Sequence, residues 1–525
     1  MRKKYLWNYL LLAALFVLML VAEVTAIVKL YHLDMLPPDY LIILAAILAV
    51  FSLAIGLLAF LRIRRPAKIR RIIAAVLAIL LLCGSAAIAT VADDVMKTLE
   101  AMTRDFLEIP TREVYVLAED PAQELEASGN YTYGYLKNYD ETCTQQALDK
   151  IAKRIGWEPA TAGYTNISTM VLALLDHRID AIVLNGGLVS ILEDAKEFAD
   201  FSQKTKVLAQ IRVEEEEMLT DQVQISSKEE ENLPEETYQT PEQTEATEEF
   251  LDFSELKPFV VYISGSDSYD TEVVKYGRSD VNILAVVNPM TKQVLLISTP
   301  RDYYVDTTAK YGEKDKLTHC GIYGTKCSMR TLGNLYGADI EYFVRINFSG
   351  FKKFIDALGG VTVYSDYAFT AITRTDIKEG ENHLTGQQAL DFARERATLP
   401  GGDNERGKHQ MQVITAVIEK ATTGTTIITN YTDIMDSVEG MFTMNLPTEL
   451  ISELMKMQLS DMARWNIVSY SATGFAAMKE TYSLPGVELS VLEPNYSSIR
   501  KAARLIDMVY AGELLTEEVM NSIVG

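Results

Sequence analysis

Three long apolar runs open the chain, Leu6 to Leu30, Tyr40 to Leu61 and Ile72 to Val91, each at least 20 residues long. A helix rising about 1.5 Å per residue crosses the hydrocarbon core of a bilayer in about 20 residues, so each run predicts a membrane span. A cleaved signal peptide would need only one shorter run. After Val91 the pattern changes. Between residues 112 and 213, apolar stretches (Glu113 to Ala118, Ile179 to Asn185) alternate with helical patterns (Thr142 to Ile155, Ser168 to Leu175), which predicts a small α/β unit. From Lys257 onward, strands are predicted at Phe259 to Ile263, Val281 to Val287, Val294 to Ile297 and Phe343 to Ile346. Helices are predicted at Met329 to Tyr336, Phe348 to Leu358, Thr385 to Ala393 and Lys408 to Ala421. Alternation of this kind predicts a central sheet flanked by helices, and the segments from Pro447 to Tyr510 continue it.

Charge separates these regions further. The net charge is -23, yet residues 1–92 carry 10 basic and 3 acidic side chains, which leaves 39 basic against 69 acidic in the remainder. An acidic bulk of this size repels nucleic acid, and no helix-turn-helix signal is evident. Arg2-Lys3-Lys4 and the six cations between Arg62 and Arg71 are expected to stay cytoplasmic, which places everything after Val91 outside the cell membrane. Glu23, read as lying near the end of its span, is expected to snorkel to the interface. Glu214 to Glu255 holds 16 acidic residues and one Lys, so it is expected to be a solvated linker that cannot bury enough surface to fold. The expected organisation is a three-helix transmembrane region (1–92), an extracellular α/β accessory domain (93–213), an acidic disordered linker (214–255) and a large α/β domain (256–525, motif core 258–425). Four cysteines without CxxC or Cys/His spacing exclude a disulfide scaffold and a zinc module. Cys320 and Cys327 flank a short loop, where a disulfide and two free thiols both remain open.

The candidate chemistry sits where strands of the large domain should end. Asp267 follows the strand at 259–263, Arg278-Ser-Asp280 precedes the next, and Arg301-Asp302 follows Val294 to Ile297. Lys316 lies in a polar loop. Arg394 and Arg396 are two apart and share a direction only in extended chain, so the helix before them should end by about Arg394. Asp403 and Arg406 belong to a turn leading into a helix. Guanidinium groups match phosphate oxygens bidentately, and paired carboxylates suit a hard cation, so the set points to a pyrophosphate site with a metal. Taken singly, each residue reads more readily as a turn former or a helix-end charge, and it is their joint placement that shifts the balance to a site.

These residues resemble the LytR-CpsA-Psr family of cell-envelope enzymes. The matching stretches are Asp267 with Arg278-Ser-Asp280, Ser298-Thr-Pro-Arg-Asp302, Lys316-Leu-Thr-His319, Asp356-Ala-Leu-Gly-Gly-Val361 and Leu384-Thr-Gly-Gln-Gln-Ala-Leu390 running into Arg394-Glu-Arg396. The resemblance implies a phosphotransferase that moves a glycopolymer, such as teichoic acid or capsule, from undecaprenyl pyrophosphate to a peptidoglycan hydroxyl. It implies that Asp267 and Asp280 hold Mg²⁺ or Mn²⁺ and that Arg278, Arg301, Lys316, Arg394, Arg396, Arg406 and Gln410 grip the pyrophosphate. Asp280, Asp267, Arg278, Arg394 and Arg396 would form the catalytic set, with Asp403 orienting the arginines. It also implies an apolar channel for the lipid between sheet and helices. Two positions depart from the family pattern: Glu405 replaces a Gly and His409 an Arg, which removes a permanent cation unless Lys408 compensates or His409 titrates. Two other readings are a polyprenyl-pyrophosphate hydrolase and a non-catalytic lipid or solute sensor.

Overall fold

The computed structural model describes residues 2–61, 67–104, 111–137, 141–195, 197–213, 256–266, 277–399, 403–423 and 441–524, together with Ile434 and Ser437. The acidic segment 214–255 and Asp267 lie outside the described residues. Three helices, α1 (Arg2–Leu33), α2 (Pro38–Phe60) and α3 (Ala67–Arg104), are long and apolar enough to cross a membrane. Glu23 corrects the sequence reading. It lies near the middle of the apolar window Tyr9–Leu33, 6% exposed, and Ser52 Oγ on α2 lies 2.6 and 2.7 Å from its two carboxyl oxygens. From mid-span the side chain is too short to reach either interface, so it bonds across the helix pair instead.

The accessory unit contains β1 (Thr111–Leu117), β2 (Thr132–Leu136), α4 (Glu141–Ile155), β3 (Ala160–Tyr164), α5 (Ile167–Leu175), β4 (Ala181–Leu184), α6 (Gly187–Asp194), α7 (Phe201–Lys204) and β5 (Thr205–Arg212). Its sheet runs β3-β2-β4-β1-β5, and β2 lies parallel to both its neighbours. The strands at β1 and β4 agree with the sequence pattern. The other three escaped it because β2 and β3 carry glycines and β5 alternates at a half-exposed edge.

The large domain begins with β6 (Phe259–Ser266), β7 (Val281–Asn288), β8 (Gln293–Ser298), β9 (Tyr304–Asp306), β10 (Lys314–Lys316), α8 (Leu317–Cys320), α9 (Thr325–Tyr336), β11 (Tyr342–Asn347) and α10 (Phe348–Ala357). An excursion follows, made of β12 (Val361–Ser365), β13 (Phe369–Thr370), β14 (Asp376–Ile377) and β15 (Gly380–Leu384). Next come α11 (Gly386–Arg394), α12 (Asp403–Thr422), β16 (Phe442–Met444), α13 (Thr448–Asp461), β17 (Asn466–Ser471), β18 (Gly474–Thr481), β19 (Leu484–Pro494), α14 (Tyr496–Tyr510) and α15 (Glu517–Val524).

Six strands form one mixed sheet in the order β16-β11-β6-β7-β8-β17. Val260 and Tyr262 of β6 pack with Leu332 and Leu505 on one face, while Phe259 and Val261 pack with Met411 and Leu450 on the other. A strand covered on both sides reads as an unbroken apolar run, which is how β6 to β8 appear in the sequence. β11 and β6 are parallel, whereas β7 is antiparallel to both β6 and β8. The C-terminal ends of β6, β8 and β11 and the start of β7 therefore meet at one sheet edge, where the charged loops gather.

The domain is seated on the ends of the three apolar helices. Lys456 of α13 reaches Asp34 at 2.7 Å, Tyr40 donates to the Leu459 carbonyl at 2.9 Å, and Leu33, Val95 and Leu99 pack against Met444.

Candidate active site

At this sheet edge a cavity of about 330 Å³ opens between the sheet, α10, α11 and α12. Ile263, Ile346, Phe348, Phe351, Val413 and Ile414 line it as apolar groups, and Asp280, Arg301, Arg394, Arg396, Arg406 and Gln410 line it as polar groups. Local sequence explains this placement. Thr385 and Gln388 form a capping box that starts α11, and the helix ends at Arg394 as the arginine spacing requires. Beyond it, extended chain lets Arg396 point into the same cavity. At α12 the absence of a side chain on Gly407 is needed, because a Cβ there would lie 2.7 Å from Ser298 Oγ at the end of β8.

Asp280 is the one carboxylate that lines the cavity among the described residues. Its Oδ1 accepts from Arg301 Nη1 at 2.8 Å and from Thr318 Oγ1 at 3.3 Å. Burial by itself would raise its pKa, but Arg301 foremost, with Arg278 and Arg406, outweighs burial and holds the carboxyl below its ordinary value. Arg394 lies flat on Phe348, its guanidinium carbon 4.3 Å from the ring centroid. Lys316 and Arg278 stand one step back from the cavity. Lys316 binds Asp302 Oδ1 at 3.1 Å, and Arg278 acts on Asp280 through its charge. Asp403 is the first residue of α12. No cluster of three or more metal-binding side chains occurs among the described residues, which do not include Asp267.

His409, which the sequence left open as a titrating phosphate contact, does not line the cavity. It is 4% exposed, stacked 3.9 Å from Phe392 and 5.5 Å from Phe369, with Nδ1 3.1 Å from the Phe392 carbonyl. Burial lowers its pKa, which favours the neutral ring, and the stacking gives it a packing role. Glu405 binds Lys408 at 2.7 Å and accepts from Tyr367 at 3.0 Å, tying the start of α12 to the excursion. Lys408 is thus engaged away from the cavity. Cys320 and Cys327 are free thiols, both within 4 Å of Thr307 Oγ1 (3.5 and 3.9 Å), so the bridge left open by the sequence is not formed.

Three contributors escaped the sequence reading. Glu395 accepts four backbone amides around the cavity mouth. Arg345, 1% exposed on β11, donates to the Gly277 carbonyl at 2.8 Å and so backs the segment that carries Arg278. Its signal was visible as a charge inside an apolar strand. Phe348, the stacking platform, carries no signal that separates it from other core aromatics.

A cavity lined by apolar side chains and arginines thus lies on an α/β domain seated on three helices long and apolar enough to cross a membrane. The chain belongs to the LytR_cpsA_psr family, whose model matches residues 219–495. It is 34% identical over 221 residues to the polyisoprenyl-teichoic acid–peptidoglycan teichoic acid transferase TagU of Enterococcus faecalis, covering 42% of this chain and 70% of that protein. The Bacillus cereus protein of the same name is 33% identical over 214 residues, 41% of this chain and 68% of that one. Among solved structures, B. subtilis TagV is 25% identical with a TM-score of 0.41, covering 49% of this chain and 99% of that one. B. subtilis TagU is 27% identical with a TM-score of 0.38, covering 50% and 100%.

Proposed function

We propose that this protein is a membrane-anchored phosphotransferase that moves a glycopolymer, such as teichoic acid or capsule polysaccharide, from undecaprenyl pyrophosphate to a peptidoglycan hydroxyl. The observation that carries this reading is the cavity, whose lining combines apolar side chains with Arg301, Arg394, Arg396 and Arg406. A prenyl tail suits the apolar walls and a pyrophosphate suits the rim. The names of the TagU relatives support the same chemistry. The basic loop between α2 and α3 supports a cytoplasmic position for that loop and an external one for the large domain.

In the proposed reaction the acceptor oxygen attacks the phosphorus nearer the sugar and the bridging P–O bond breaks. The prenyl monophosphate leaves and the hydroxyl proton passes to a base. Arg394 and Arg396, with Arg301 and Arg406, neutralise charge on the phosphates, while Arg278 and Lys316 hold the carboxylates that fix Arg301. Gln410 donates at the rim, and Asp403 orients the arginines. Asp280 is a weak base, because its pKa is depressed, so its role is to fix Arg301 and offer hard oxygen donors. That chemistry fits Mg²⁺ or Mn²⁺, which Asp280 would hold together with Asp267; when bound, the ion would neutralise phosphoryl charge.

The test uses the full chain in nanodiscs with Mg²⁺, a labelled undecaprenyl-pyrophosphate glycan and uncrosslinked peptidoglycan, beside Arg394→Ala. Label entering peptidoglycan only with the unaltered protein is the expected result. Release of glycan phosphate without acceptor labelling replaces the transferase with a hydrolase, and an unchanged donor across several glycans leaves a lipid-binding sensor.

A further inference from the structure

The accessory unit shares a hydrophobic core with the large domain at one place, and that place adjoins the cavity wall. Ile322, fully buried in the turn after α8, packs with Leu188 and Ile191 of α6, and Leu484 and Leu489 of β19 join the same cluster. Polar contacts fix the register. Asn166 Nδ2 donates to the Pro485 carbonyl at 2.6 Å, and Asn185 Nδ2 lies 3.4 Å from the Ile322 carbonyl. The fit is close at Gly187, where a Cβ would lie 2.6 Å from Ile322 Cγ2.

On its other side the same turn holds the segment bearing Arg278 and Asp280. Gly277 N donates to the Gly321 carbonyl at 3.2 Å and Ser279 N donates to the Thr318 carbonyl at 3.1 Å. A Cβ on Gly321 would lie 2.5 Å from the Gly277 carbonyl oxygen and 2.4 Å from Ser279 Oγ, so the two backbones lie against each other. Thr318 reaches Asp280 directly, and its amide donates to the Arg301 carbonyl at 2.8 Å. The accessory unit is therefore separated from the charged wall by the single turn from Thr318 to Ile322.

From this we infer that the accessory unit is a brace: by seating Ile322 it holds Gly277 to Asp280 and Thr318 in the geometry that binds an anionic head group, and its undocking loosens that wall. Residues of α6 and Ile322 are positioning residues in this sense, since none of them lines the cavity. The inference that the head group is a pyrophosphate rests on the function proposed above; the mechanical coupling does not.

Gly187→Leu drives a wedge into the contact from the accessory side, and adding Ile322→Ala returns the room. Hydrogen exchange is followed by mass spectrometry on the full chain in nanodiscs, and binding is followed with geranylgeranyl pyrophosphate as probe. The wedge should speed exchange at the Gly277 and Ser279 amides and weaken probe binding, each about tenfold, with the double variant restoring both. Faster exchange in α5 and α6 with no change at 277–280 would show an undocked module and an unmoved wall, and would overturn the brace. If the unaltered protein binds no prenyl pyrophosphate, the functional reading of the cavity falls, and exchange at Gly277 and Ser279 still decides the coupling.

Discussion

Removing Glu395 tests how the cavity mouth is built. Its Oε1 accepts the amides of Arg396, Ala397 and Thr398 at 2.9, 2.8 and 3.1 Å, and its Oε2 accepts that of Ile372 at 2.7 Å. One side chain thus turns the chain out of α11, aims Arg396 back at the cavity and pins the excursion beside it. A net contribution of about 1 kcal/mol per hydrogen bond makes about 4 kcal/mol for the four. Residues 396–398 and Ile372 are exposed, so water replaces part of this, and Glu395→Ala should cost about 2–3 kcal/mol, confined to the mouth. If half of that must be regained when donor binds, KM for the donor rises roughly tenfold with little change in kcat. Glu395→Gln keeps an acceptor for three amides but turns an N–H toward Ile372, so its effect should be intermediate. Burial would raise the Glu395 pKa, but the backbone amides outweigh it and lower the pKa. The stabilisation is therefore complete above the ordinary glutamate range and is lost as pH falls through the depressed folded value. The assay is steady-state transfer with donor concentration varied at pH 7, and again at the lowest pH the protein tolerates. An unchanged donor KM for Glu395→Ala would refute the reasoning.

Arg301→Ala removes the first cation that depresses the Asp280 pKa, so the acid limb of the pH–rate profile should move to higher pH; a limb that stays in place contradicts the pairing. Ile414→Trp fills the depth of the cavity; displacing about two buried methylenes of a prenyl tail costs about 1.6 kcal/mol, roughly fifteenfold in affinity for long-chain donors, with short-chain donors unaffected. His409→Arg, which restores the family's residue, should lower the melting temperature without raising activity, because a charge then replaces a buried ring that clusters with Phe392 and Phe369. Since burial lowers the His409 pKa, the unaltered protein should lose stability as pH falls from about 6.5 through the folded value, and His409→Phe should lose less. Glu23→Leu removes the α1–α2 hydrogen bonds and should weaken the pairing of the two spans by about 1 kcal/mol, read as a lower unfolding temperature in nanodiscs with transfer unchanged.

Much of this fold was legible because its strands are buried on both faces. β6, β7 and β8 read as unbroken apolar runs, and the ends of those runs located Asp280 and Arg301 before any coordinates did. The spacing of Arg394 and Arg396 also worked, since two residues that share a direction require extended chain and so set the end of α11. Where burial is partial the signal fades: β2, β3 and β5 were not seen, and α12 begins at Asp403, five residues before its apolar pattern does. What sequence cannot hold is a partner far along the chain. Glu395 reads as one charge between two others until its amide partner at Ile372 is in place, and Glu23 reads as a snorkelling end until Ser52, 29 residues on, faces it. The same limit applies to His409, whose stacking on Phe392 depends on two helices meeting.

The seating of the large domain on its three apolar helices bears on the proposed chemistry. For a lipid-borne donor, each methylene drawn from the bilayer into water costs about 0.8 kcal/mol, so exposure of even a short stretch of prenyl tail would cancel the affinity supplied by several phosphate contacts. A flexible tether leaves that exposure to chance. Here α13 binds Asp34 and the Leu459 carbonyl receives Tyr40, while Gln458 donates to the Thr422 carbonyl at 2.8 Å at the end of α12. Since α12 supplies Val413 and Ile414 to the cavity, the chain of contacts from the C-terminal end of α1 to the apolar wall is continuous. On the proposed function, fixing the distance between bilayer and cavity in this way would limit how much tail is wetted in transit, and would give the three apolar helices a task beyond retention at a membrane.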